Sequence, residues 1–83
     1  MKKIIVLAVL AMTTPAFANA LTQGDQLGTS VAEVSAKLSS LGYDVRKSEM
    51  EHGKIEVYVV KGNARREIYV DPTTGKVTRI KVK

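Results

Sequence analysis

His52 is the only histidine of the chain, and with Glu51 beside it and Glu49 two residues earlier it marks where acid–base or metal chemistry would have to begin. One histidine in a chain without cysteine cannot assemble a structural zinc tetrahedron, and carboxylates are a poor supplement. Glu49 and Glu51 share a strand face at i, i+2, but they approach an exposed turn where nothing is expected to raise a carboxyl pKa. Serine, histidine and aspartate are all present, yet the serines fall at Ser30 to Ser40 or at Ser48. No Gly-x-Ser-x-Gly elbow and no glycine-rich phosphate loop accompanies them. The reading is therefore of a non-enzyme with no metal site and no cofactor, in which His52 is a solvated turn residue. The residues better suited to chemistry are Tyr58, Arg65, Tyr69 and Arg79, types enriched at binding hot spots, and their chemistry is recognition.

Those side chains need a frame, and the frame begins after a leader. Lys2 and Lys3, an apolar run from Ile4 to Met12, Pro15 and the triplet Ala16-Phe17-Ala18 read as a secretory signal peptide over residues 1–18, cleaved after Ala18, with a second possible cut after Ala20. A membrane anchor is the rival, but the run is nine residues and a span needs roughly 20. The leader carries two of the 13 basic side chains, so eleven face eight acidic ones in the remaining 65 residues, and the formal charge falls from +5 to +3. Mixed charges on an exported chain argue against a nucleic-acid partner. A chain of this size forms one domain, buries only about 60% of its unfolded surface, and without disulfides must be held by its sheet and helix.

Residues 19–28 are polar, aperiodic and interrupted by Gly24 and Gly28, which reads as a flexible arm before a domain over 29–83. Ser30 with Glu33 forms a capping box; Val31, Val34, Leu38 and Leu41 repeat at helical spacing, and Gly42 stands where a C-cap belongs. From Tyr43 the period becomes two, with breaks at His52-Gly53, Gly62-Asn63 and Asp71 to Lys76, so the expectation is α+β: one helix on a four-stranded antiparallel meander. In the last break Asp71 can accept backbone N–H groups two residues ahead, Pro72 presets φ, and Gly75 supplies a positive φ.

A two-residue Gly62-Asn63 loop sets Val57 opposite Ile68 and Ile55 opposite Val70, while Glu56 faces Tyr69 and Tyr58 faces Glu67. Both faces are then chemically consistent. The first strand pairs Met50 with Ile55 but needs a bulge near Arg46 or Lys47 to bring Val45 inward. In the last strand Val77 is out of phase with Ile80 and Val82, and its register stays open.

Taken in order, Leu41-Gly42-Tyr43-Asp44-Val45, the hairpin around Glu51-His52-Gly53-Lys54, Glu56-Val57, and Tyr69-Val70-Asp71-Pro72-Thr73-Thr74-Gly75-Lys76-Val77 resemble the PepSY domain family, especially its small secreted single-domain members. The resemblance covers Thr29 to Val82. It implies a helix packed on an antiparallel sheet and a non-catalytic module, since such domains occur in propeptides of secreted metallopeptidases and in cell-envelope proteins, where peptidase-binding or inhibitory roles have been proposed. What it carries onto this chain is structural: Gly42 and Tyr43 at the helix-to-strand junction, and Asp71, Pro72 and Gly75 in the last turn.

The expected function is an exported, periplasmic or secreted binding module that engages a peptidase or another envelope protein, with accessory service to a membrane signalling protein as the alternative. The expected surface is the outward sheet face with Glu56, Tyr58, Val60, Arg65, Glu67 and Tyr69, joined by Arg79 and Lys81 if the last strand turns Ile80 and Val82 inward. A plainer reading is that one wet face is ordinary in an antiparallel sheet. Strand addition at an open edge is a second mode of binding, which Lys81 and Lys83 would blunt against indiscriminate pairing.

Overall fold

The computed structural model describes residues 21–83; the expected signal peptide and its cleavage at Ala18 lie outside the described residues. Helix α1 spans Val31–Ser40 and is fixed at both ends by side chains and glycine geometry. Ser30 Oγ accepts from the Glu33 amide at 3.1 Å, and the Glu33 carboxylate accepts in return from the Thr29 amide at 2.9 Å, one residue before the usual capping-box partner. At the other end Gly42 takes φ 93°, its amide reaches the Ser39 carbonyl, and the Tyr43 amide reaches the Leu38 carbonyl, the paired bonds of a Schellman ending.

Strands β1 (Asp44–Glu51), β2 (Lys54–Lys61), β3 (Ala64–Val70) and β4 (Val77–Val82) form one antiparallel sheet in chain order. The β2–β3 hairpin has the register expected from its flanks, with Ile55 opposite Val70 and Val57 opposite Ile68. Met50 pairs with Ile55, and a shift between Val45 and Lys47 makes Arg46 the bulged residue and returns Val45 to the inner face. The open question in the last strand resolves the same way. Val70 pairs with Val77 and Tyr69 with Arg79, so Thr78 is the extra residue and both Val77 and Ile80 turn inward. Val82 follows that phase but is 68% exposed, lying past the cover that α1 provides.

α1 packs on β1 and β2. Val34, Leu38, Ile55, Val57, Val59, Ile68 and Val70 are fully buried between them, joined by Leu27 and Val77 at the margin. Arg66, opposite Val59 on the inner phase, is half-buried and sends Nη1 back to the Arg65 carbonyl at 3.0 Å.

The stretch expected to be a flexible arm is, from Leu21 to Gly28, tied down by backbone bonds. The Gly24 amide donates to the Val77 carbonyl at 2.8 Å, the Val77 amide to the Asp25 carbonyl at 2.9 Å, and the Leu27 amide to the Gly75 carbonyl at 2.8 Å. Gln23 and Gln26 add side-chain bonds to the carbonyls of Thr78 and Thr74, and Leu27 is buried. This short segment covers the start of β4, an edge that would otherwise be bare.

Candidate binding face

Alternation along the four strands puts one set of side chains under the helix and the other on an uncovered face, where the registers align them in rows. Glu49, Glu56, Tyr69 and Arg79 form one row, and Lys47, Tyr58, Glu67 and Lys81 the next. Asp44, Val60 and Arg65 follow beyond them. Tyr58, Arg65, Tyr69 and Arg79 therefore share the outer face.

The rows divide the face by chemistry. Around Tyr69 the side chains satisfy one another: its hydroxyl donates to Glu67 Oε1 at 2.8 Å, the Arg79 guanidinium lies over its ring at 5.5 Å, and Lys83 Nζ approaches Glu67 at 3.8 Å. The hydrogen bond to Glu67, followed by partial desolvation and the charges of Glu67 and Glu56, raises the Tyr69 phenol above its ordinary pKa.

Towards the β2–β3 turn the pattern changes. Arg46, Tyr58, Val60, Gly62, Asn63 and Arg65 line a shallow depression of about 420 Å³. Arg46 gives Nε to Asp44 Oδ2 at 2.8 Å, an exposed pair. Among the described residues the Arg65 guanidinium, the Tyr58 hydroxyl and the Asn63 amide side chain make no hydrogen bond. Sequence reasoning did not single out Arg46 as a site residue; the signal that pointed to it was the phase of Val45, which demanded a bulge there.

The opposite corner is acidic. Carboxylate oxygens of Glu49, Glu51 and Glu56 lie within 4.8 Å of one another. Glu56 faces Glu49 directly across the β1–β2 pair, as the pairing of Met50 with Ile55 requires. Partial desolvation, and then the charges of Glu67, Glu51 and Glu49, raise the Glu56 carboxyl above its ordinary pKa, with His52 opposing them weakly. His52 itself takes φ 52° and precedes Gly53 at φ 76°, so it occupies a left-handed position of a two-residue hairpin turn.

The long turn after β3 is self-contained. Asp71 Oδ1 accepts from the Thr73 amide at 2.8 Å, the Gly75 amide donates to the Asp71 carbonyl at 2.7 Å, and Gly75 takes φ 79°. Its Cα sits so close to the Gly28 carbonyl that an added Cβ would lie 3.0 Å from that oxygen. The turn therefore serves to dock the N-terminal segment.

A family model described as peptidase propeptide and YPEB domain matches residues 2–81. No curated protein and no solved structure matches the chain.

Proposed function

The chain belongs to the PepSY family of peptidase propeptide and YPEB domains, and from that premise we propose that it is an exported, non-catalytic binding module. It engages and modulates a peptidase or another cell-envelope protein through the outer face of its sheet. The observation that supports this reading is the alignment of Tyr58, Arg65, Tyr69 and Arg79 on a face that no described element covers. Tyrosine and arginine offer large contact area and forked donors at small entropic cost, which suits a protein partner. No helix among the described residues is long and apolar enough to cross a membrane, and export rests on the leader read over residues 1–18.

Affinity capture from an envelope extract tests the reading, with the wild-type protein and a Tyr58→Ala/Tyr69→Ala variant as paired baits and protease assays on what is retained. The reading expects a protein held by the wild type, lost by the variant, and altered in protease rate when the wild type is added. Equal recovery on both baits, or no capture with every protease rate unchanged, would overturn it.

A further inference from the structure

We propose that the depression at the Gly62–Asn63 end of the outer face is a carboxylate site for an acidic side chain of a polypeptide partner, an inference that rests on the protein-binding reading above. The two ends of the face differ. Tyr69 and Lys83 both engage Glu67, by a hydrogen bond and an ion pair, and Arg79 stacks over the Tyr69 ring. At the other end Arg65, Tyr58 and Asn63 line one hollow and leave their side-chain donors unpaired among the described residues.

The donor set matches a carboxylate. A guanidinium presents a planar fork of N–H groups that engages two carboxylate oxygens at once, and two such groups, Arg46 and Arg65, line the same hollow. Asp44 already holds Arg46 through Nε at 2.8 Å, which fixes that side chain while its terminal nitrogens make no hydrogen bond among the described residues. The Tyr58 hydroxyl and the Asn63 amide supply further neutral donors.

The hollow is lined mainly by polar groups, with a smaller apolar part beside them. Val60 and the Tyr58 ring, both half-buried, offer apolar surface beside the donors, against which the methylene groups of a glutamate can lie and a phosphate cannot. Glu49, Glu51 and Glu56 at the far corner repel the same ligand. An acidic segment is thereby directed to one end of the face.

NMR titration of the isotope-labelled protein with a capped tetraglutamate peptide, and separately with inorganic phosphate at matched ionic strength, tests the site. The peptide is expected to shift the amides of Gly62, Asn63 and Arg65. Arg65→Gln should weaken binding about tenfold or more, as loss of a charge-assisted bond implies, Arg65→Lys should restore only part of it, and Arg79→Gln should leave it within about twofold. Shifts spread evenly over Arg79, Lys81 and Lys83, an Arg65→Gln variant that binds as well as the wild type, or phosphate binding as tightly as the peptide would each overturn the proposal. Capture that requires the two tyrosines but survives Arg65→Gln would likewise overturn this site while leaving the protein-binding function intact. Peptide binding at the site with no protein captured would remove the function and leave the site.

Discussion

The two faces of the sheet are built from the same strands yet settle different questions. On the inner face Ile55, Val57, Val59, Ile68 and Val70 are fully buried beneath α1, and each side chain is accounted for by packing alone. On the outer face the same strands carry charges and tyrosines that stay half-exposed and are sorted by sign, acidic at the His52 turn and cationic at the Gly62 turn. Stability is therefore concentrated on one side and the proposed recognition on the other. A substitution can be aimed at either with little effect on its opposite, because successive residues of a strand point to opposite faces.

The largest effect expected is on the inner face. Leu38→Ala removes a fully buried side chain and should cost about 2–5 kcal/mol, a large part of the ~3–9 kcal/mol available to a domain of this size; urea denaturation followed by circular dichroism measures it. Gly75→Ala comes next, at about 1–3 kcal/mol, because the glycine holds φ 79° and faces the Gly28 carbonyl. Faster hydrogen exchange at the Gly24 and Leu27 amides would show that the N-terminal segment has been released. Arg65→Gln, on an exposed side chain, should change stability by no more than about 0.5 kcal/mol while abolishing most peptide binding. A comparable loss in denaturation would break the separation of the faces.

The smallest effect is pH-dependent. The Glu56 carboxyl lies above its ordinary value in the fold, so the fold favours its protonated form. That contribution is complete below the unfolded pKa of about 4.3 and is lost as pH rises through the folded value. Glu56→Gln carries no charge to repel Glu49, Glu51 and Glu67, so it should melt at a higher temperature than the wild type at neutral pH. The two melting curves should converge as the pH falls towards 4, and a variant less stable at neutral pH would show that the charges on this face do not oppose folding.

How much of this was legible in the sequence differs by face as well. The β2–β3 register could be read because a single loop length satisfied both alternating patterns at once, apolar with apolar and tyrosine with glutamate. The bulge at Arg46 could be located from the phase of Val45, but the one at Thr78 could not, since either Val77 or Ile80 could have been the outward residue. Order in residues 21–28 left no side-chain signature because backbone amides and carbonyls provide most of it, and only Leu27 marks it as buried. On the outer face, the residues within one hairpin were legible, and Glu56 opposite Glu49 follows from Met50 opposite Ile55, whereas Arg46 in the hollow depends on the bulge.

Tyrosine nitration of the protein, free and bound to its captured partner, tests the central claim most directly, because the three tyrosines divide between the regions: Tyr58 and Tyr69 on the outer face, Tyr43 at the helix-to-strand junction packed against the core. Tyr58, with no hydrogen bond to slow it among the described residues, is the clearest reporter. A partner seated on the outer face gives strong protection of Tyr58 in the complex and an unchanged rate at Tyr43. Protection of Tyr43 with Tyr58 still reacting at its free rate would contradict that claim.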